Sequence, residues 1–221
     1  MFATHPSELS SMCASMPMHC LSDGYSAAVP LWWALMSVAM MLPTGAVHLV
    51  RSGSAAVSRT PGRAQVVVLS GYLALWLVVG VVEGAVQQEL ARWGVMTGTD
   101  RWKFCVALCL AVGGWQLTSR KRTCLDRCNA RARCVREAVP AGRSMLPAFG
   151  SGLELGIACF RCCGALMALM LLPPFMTTPG MLALSLYILV ERALPFGRAL
   201  SRWTAGALAG YAVVCTIAHF A

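Results

Sequence analysis

The chain has 221 residues, of which 57% are hydrophobic and only 12% are charged, and its formal net charge is +9. Soluble domains carry about 25% charged residues, so this composition excludes an ordinary soluble globular domain. The positive charge does not indicate nucleic-acid binding. Most of the basic residues lie in three short segments between apolar runs, a pattern that encodes membrane orientation.

The first segment, residues 1–27, is a polar tail without the basic and apolar regions of a secretory signal. It contains a dense group of soft metal ligands: Met12, Cys13, Met16, Met18, His19 and Cys20. One hypothesis is a flexible capture site for copper that forms on binding. The alternative is a tail whose side chains bind nothing.

About six apolar runs follow within residues 28–221, close to the length that crosses a bilayer. They predict an all-α fold, a polytopic transmembrane helical bundle. The expected spans are about 28–49, 65–88, 102–118, 149–171, 178–195 and 203–220. Glycines four residues apart predict close packing of helices. These pairs are Gly80/Gly84, Gly152/Gly156 and Gly206/Gly210.

The basic residues alternate between the segments that connect these spans. The first, third and fifth connections hold most of the 18 Lys and Arg residues, and the fourth holds none. Because cytoplasmic loops carry the excess of Lys and Arg, we expect a multi-pass protein of the lipid bilayer with both termini outside. A basic loop at about 119–147 would then lie in the cytoplasm.

Three methionines mark the first span. Met36 and Met40 lie one helical turn apart, and Met41 is adjacent to Met40. The spacing resembles the methionine rings of copper permeases and indicates a possible thioether site. Methionine is also an ordinary apolar filler of helix bundles, and this alternative stays open.

Cysteines one turn apart occur twice more along the chain. Cys105 and Cys109 lie in the third span, and Cys124 and Cys128 lie in the basic loop. Neighbouring Lys and Arg residues favour the thiolate form of the loop cysteines. Because the cytosol is reducing, a metal or free thiols are expected there in preference to a structural disulfide.

The fourth span contains the densest sulfur. Cys159, Cys162 and Cys163 are spaced i, i+3 and i+4, so they share one helix face. A longer stripe of small and sulfur-bearing residues continues along it: Gly152, Gly156, Cys159, Cys163, Met167 and Met170. Thiolates with thioethers suit Cu(I), and thiolates alone also suit zinc or an iron–sulfur centre. The alternative is that these residues only pack.

An arginine interrupts the same apolar span. Arg161 would cost roughly 2.5–3.5 kcal/mol at the centre of a bilayer, so it needs a partner. We expect it to pair with Glu154, two turns earlier on the same helix, or with Glu83 of the second span.

Short motifs in a fixed order carry a resemblance from about residue 32 to residue 197. They are Trp33-x-x-Met36-x-x-Ala39-Met40-Met41-x-Pro43, Gly71-Tyr72, Trp76, Gln116-Leu117-Thr118, Lys121-Arg122, Cys124-Leu125-x-x-Cys128, Gly152, Gly156, Cys159, Cys162-Cys163, Leu166-Met167, Glu191-Arg192 and Pro195. In these motifs the chain resembles a bacterial family of uncharacterised, predicted metal-binding integral membrane proteins. The resemblance implies a multi-pass helical protein of the bacterial inner (plasma) membrane that binds a metal.

We therefore expect an integral membrane protein that binds a soft metal ion, copper or else zinc, in metal capture, transfer or cofactor assembly. The candidate metal ligands are Cys159, Cys162, Cys163, Met167, Met36, Met40, Met41, Cys124 and Cys128. The alternative is a non-catalytic accessory subunit that packs against other membrane subunits through small-residue faces. A membrane thiol oxidoreductase is a third hypothesis. The sequence has no recognisable catalytic triad, phosphate loop or carboxylate pair, which favours a protein that is not an enzyme.

Overall fold

The computed structural model describes residues 27–53, 61–95, 101–134, 145–172, 175, 177–193 and 197–220. Its elements are α1 (Ala28–Gly53), α2 (Pro61–Arg92), α3 (Arg101–Leu117), α4 (Ser119–Cys134), α5 (Leu146–Met167), a 3₁₀ turn (Ala168–Leu171), α6 (Thr178–Ala193) and α7 (Gly197–Phe220). No strand occurs among the described residues, so the prediction of an all-α fold is confirmed. The polar tail and its soft ligands lie outside the described residues, except for Ala27.

Four of the described helices are long and apolar enough to cross a membrane: Ala28–Val47, Arg63–Arg92, Leu146–Leu171 and Ala199–Phe220. Two further expected spans are shorter helices, α3 with 17 residues and α6 with 16. A spanning helix needs about 20 residues, with a lower limit near 17. The bundle is thus compatible with a polytopic membrane protein, and the number of about six spans stays a prediction.

Glycines bring α2 into close contact with both α1 and α5. A Cβ atom added at Gly152 would overlap the carbonyl oxygen of Val68, and one added at Gly84 would lie 2.6 Å from Pro30 Cα. Close packing at two of the three predicted glycine pairs is therefore confirmed. The third pair differs, because a Cβ at Gly206 or Gly210 would meet nothing within 4 Å.

The basic segment begins as a helix, where the sequence suggested a loop. Helix α4 covers Ser119–Cys134, which contains neither glycine nor proline and is rich in residues with good helix propensity. Lys121 and Leu125 are buried on the side of α4 that faces the bundle, whereas Arg120 and Arg122 are exposed. Burial of one face against α5 and α1 explains why such a polar segment is helical.

The described core is one continuous cluster that includes side chains from α1, α2, α3, α5, α6 and α7. Helix α5 packs on α2 and α4, and α3 packs lengthwise on α7. Lys121 of α4 bonds Glu191 of α6, so the start of α4 and the end of α6 meet inside the bundle. This meeting point brings buried charges beside the sulfur-bearing face of α5.

Candidate metal centre

The three clustered cysteines point into the bundle. Cys159, Cys162 and Cys163 are each at most 1% exposed. The thiol of Cys163 is hydrogen-bonded to those of Cys159 and Cys162. The rest of the predicted stripe is buried with them: Gly152, Gly156, Met167 and Met170. One helix face therefore gathers three thiols in contact, as the 3.6-residue period predicts.

A buried arginine from another helix reaches these thiols. Arg192, near the end of α6, is 5% exposed. Its Nη2 donates to Cys162 Sγ at 2.6 Å and to the carbonyl oxygen of Cys159 at 3.2 Å. Because a guanidinium stays charged in proteins, it places a fixed positive charge at the cluster. That charge can balance a thiolate that binds a metal ion at the cluster.

Cys162 is held from two sides. Its Sγ lies 3.3 Å from the carbonyl oxygen of Ala158, to which a neutral thiol donates. The same sulfur accepts the bond from Arg192. Loss of the proton gives up the bond to Ala158 and strengthens the charge-assisted bond to Arg192.

A second buried cation, Lys121, is neutralised beside the cluster. Its Nζ lies 2.6 Å from Glu191 Oε1, with both side chains at most 2% exposed, and it also donates to Gln116 Oε1. Glu191 Oε1 accepts further bonds from Tyr187 Oη at 3.0 Å and from Ser201 Oγ at 2.6 Å. This network satisfies both charges, which burial otherwise makes costly.

An aromatic wall closes the cluster on the α2 side. Tyr72 Oη lies 3.1 Å from Cys159 Sγ. The ring of Trp76 lies 6.4 Å from that of Tyr72 and 6.1 Å from that of Phe160, measured between centroids. Tyr72 and Trp76 are at most 1% exposed, so they exclude water from this side of the thiols.

A search of known protein families matches residues 30–215 to the PpoB2 family, described as copper chaperone. The chain belongs to this family. Membership bears out the expected metal-related family and supports copper handling. No curated protein and no solved structure matches the chain.

The PpoB2 match covers all of the centre described above. Within the part of the chain that the structure describes, no group of three or more His, Cys, Asp or Glu side chains is arranged to hold a metal ion. A metal ion could therefore be held by two of the thiols, or by one thiol and one methionine thioether. Such sulfur coordination suits a soft ion.

The remaining predicted ligands of this PpoB2 chain divide into two groups. Met167, Met40 and Met41 are buried, and Met36 packs against the same core cluster that contains the three cysteines. Cys124 is only half-buried and lines an open groove of about 790 Å³. Cys128 lies on α4, but its side chain is outside the described set.

The expected pairing of Arg161 is not found. Its side chain is exposed and lines the same groove as Cys124, and no ion pair joins it to Glu83 or Glu154 in the described residues. Successive helical residues differ by about 100°, so Arg161 lies some 200° from Cys159 and from Cys163. An arginine adjacent in sequence to the thiols therefore points away from them.

The sequence alone did not identify the polar side chains around the thiols as part of the centre. Tyr72, Lys121, Glu191 and Arg192 come from three different helices. Each of them lies in a motif that carries the family resemblance, as Gln116 does. These motifs marked the four residues as part of the family resemblance. The order of motifs along the chain did not indicate that the residues lie close together in the folded protein.

Proposed function

We propose that this chain is an integral membrane copper carrier that holds Cu(I) as cargo on two thiols of the group Cys159, Cys162 and Cys163 and passes it to an acceptor. The observation that carries the proposal is the contact between Arg192 and the buried thiol cluster, at 2.6 Å from Cys162 Sγ. Membership in the copper chaperone family supports copper as the metal. The same chemistry serves metal capture, transfer and cofactor assembly.

Charge balance supports a thiolate–Cu(I) unit at this position. Two thiolates with one Cu(I) carry a single net negative charge, which is costly to bury alone. Arg192 supplies one positive charge, while Lys121 and Glu191 cancel each other. The loaded centre would thus be close to neutral. An uncompensated cation beside Arg192 would instead be repelled.

The ligand types favour copper over zinc. Structural zinc is held by four Cys, His or carboxylate ligands, and among the described residues no three or more side chains of these types are arranged to hold a metal. Cu(I) accepts fewer sulfur ligands, and methionine thioethers are suitable for it. Met167 is the nearest candidate along the helix, one turn after Cys163 and fully buried.

A membrane location completes the proposal. Four described helices have the length and hydropathy of spans. The positive-inside pattern would place the protein in a bacterial plasma membrane with both termini outside. A buried site between spans would keep Cu(I) away from water during transfer. Limited proteolysis and cysteine labelling of sealed vesicles from each side test this orientation.

The decisive experiment measures Cu(I) binding by the full chain, purified anaerobically in detergent with a reductant and titrated against a chromogenic Cu(I) chelator. We expect the Cys159→Ser/Cys162→Ser/Cys163→Ser variant to lose the tightest copper, since hydroxyls are poor ligands for a soft ion. Ala165→Ser adds a hydroxyl on α5 without removing a thiol and is the matched control. Unchanged tight binding in the triple variant would reject the proposal.

A second candidate function, an accessory subunit of a larger membrane complex, rests on α7. Gly206 and Gly210 face open space there, and Trp203, Val213 and Val214 are exposed nearby. A partner helix could cover this surface. Copper-free protein that still co-purifies with a stoichiometric membrane partner would favour this function over copper transfer.

A further inference from the structure

A second group of thiols lies between α3 and α7, apart from the centre on α5. Cys105 Sγ and Cys215 Sγ are 3.6 Å apart, although 110 residues separate them in sequence. Cys109, one turn after Cys105, hydrogen-bonds it and is fully buried. Only the fold brings Cys215 to the other two, because it lies on the last helix.

These thiols have the geometry of a soft-metal pair. Cys105, Cys109 and Cys215 form no disulfide, and 3.6 Å is well beyond the disulfide bond length of about 2.05 Å. With metal–sulfur bonds of about 2.3 Å, an ion between the two sulfurs would subtend an S–metal–S angle of roughly 100°. That angle is close to tetrahedral, so the two sulfurs can bind one ion together.

The surroundings of this pair differ from those of the α5 thiols. Cys105 and Cys215 are half-buried, so reagents reach them more readily than they reach Cys159. Tyr211, one turn before Cys215, hydrogen-bonds its thiol. The charged residues closest in sequence, Arg101 and Lys103, are exposed at the start of α3.

The seam between α3 and α7 also carries an imidazole near its end. His219, one turn after Cys215, stacks on Trp102 with ring centroids 4.5 Å apart. Along the seam the order is His219, then the Cys105–Cys215 pair, then Cys109. His219 is exposed, so a metal ion entering from this end of the seam would meet an imidazole before the thiols.

We propose that Cys105 and Cys215 form a second Cu(I) site, an exchangeable two-thiol loading site between α3 and α7. The site takes Cu(I) by releasing two thiol protons and forming two copper–thiolate bonds, with no change in oxidation state. Its half-buried ligands make it a site of rapid exchange, in contrast to the enclosed centre on α5. It adds a second position to the proposed copper carrier and requires its own test.

The test uses the full chain in a Cys159→Ser/Cys162→Ser/Cys163→Ser background in which Cys13, Cys20, Cys124 and Cys128 are also changed to Ser, which leaves the α3–α7 thiols intact. Anaerobic titration of the reduced protein with Cu(I) against a chromogenic chelator should still show a single bound ion. Adding Cys105→Ser and Cys215→Ser should abolish that binding. The control pair Val106→Thr and Thr216→Val changes the neighbouring residues on the same two helices and should leave binding unchanged.

Three further experiments separate the possible outcomes. A Cys105→Ala/Cys215→Ala pair, checked for folding by gel filtration and circular dichroism, separates loss of ligands from loss of structure. X-ray absorption of the copper-loaded background variant should show sulfur as the nearest neighbour. Alkylation of Cys105 and Cys215 should be fast in the copper-free protein and blocked by Cu(I).

The proposal is overturned if the background variant binds no copper, or if the cysteine pair can be removed without loss of copper. It is also overturned if the two thiols only form a disulfide on oxidation and Cu(I) gives them no protection from alkylation. Failure of the α5 centre would appear separately, as unchanged tight binding in the triple variant itself. Different variants therefore test the two proposals.

Discussion

This protein has two groups of cysteines whose surroundings differ. The α5 cluster is enclosed, and Arg192 places a fixed positive charge against it. The pair between α3 and α7 is half-buried, and its hydrogen-bond partners include a thiol and a tyrosine. The difference teaches that helix packing, and not the spacing of cysteines along the chain, decides whether a group of thiols faces a fixed positive charge.

The largest expected effect comes from breaking the charge network behind the α5 cluster. Glu191→Gln leaves Lys121 as a buried cation with its carboxylate removed, and we expect a loss of about 3–5 kcal/mol in the free energy of unfolding. Thermal unfolding in detergent, followed by circular dichroism, measures this. The double variant Lys121→Met/Glu191→Gln should recover much of the loss, and failure to recover would contradict the pairing.

A direct test of the counter-charge is Arg192→Gln. The variant keeps a hydrogen-bond donor but removes the positive charge beside Cys162, so Cu(I) affinity should fall by about 10–100-fold, as for other residues that support metal ligands. Chelator competition measures the affinity. Arg161→Gln is the matched control, because this exposed arginine points away from the thiols. Equal losses in both variants would contradict the comparison.

The enclosure of the α5 cluster depends on close contact between α2 and α5. Gly152→Ala forces a methyl group against the carbonyl oxygen of Val68 and should cost about 1–3 kcal/mol of stability. It should also make Cys159 more reactive toward alkylating reagents. Gly206→Ala, where a Cβ meets nothing, is expected to be neutral or slightly stabilising. A Gly152→Ala protein as stable as wild type would show that the helices are not in close contact.

The smallest effect is expected at the tyrosines that touch each cluster. Tyr72→Phe removes the hydroxyl at 3.1 Å from Cys159 Sγ and should cost about 0.5–1.5 kcal/mol. Tyr211→Phe removes the hydroxyl that hydrogen-bonds Cys215 and should have an effect of similar size. Alkylation rates should change at Cys159 in the first variant and at Cys215 in the second. A change at the wrong cysteine would show that the two clusters are not independent.

Much of the architecture follows from local patterns. Apolar runs predicted the helices, and the 3.6-residue period placed Cys159, Cys162 and Cys163 on one buried face. Spacing also predicted that Gly152 would meet another helix. In contrast, the basic composition of residues 119–147 suggested a loop, whereas Ser119–Cys134 is helical because one face packs on the bundle.

Arg161 and Arg192 show which contacts the sequence alone did not predict. Arg161 was conspicuous because it lies next to Cys162 in the chain, yet the helical turn directs it outward into the groove. Arg192 attracted no attention as a member of the centre, yet it reaches Cys162 Sγ from α6. Contacts between residues 30 positions apart depend on how helices pack, and no periodicity within one helix encodes them.

The sequence by itself determined an all-helical chain, its sulfur-bearing helix face and its membership in a copper chaperone family. It did so because hydropathy, helical period and motif order are properties of neighbouring residues. Only the tertiary structure decided which charge faces the thiols, that Lys121 and Glu191 neutralise each other, and that Cys215 meets Cys105. Those pairings join distant parts of the chain, and burial selects them because an unpaired charge inside the bundle is costly.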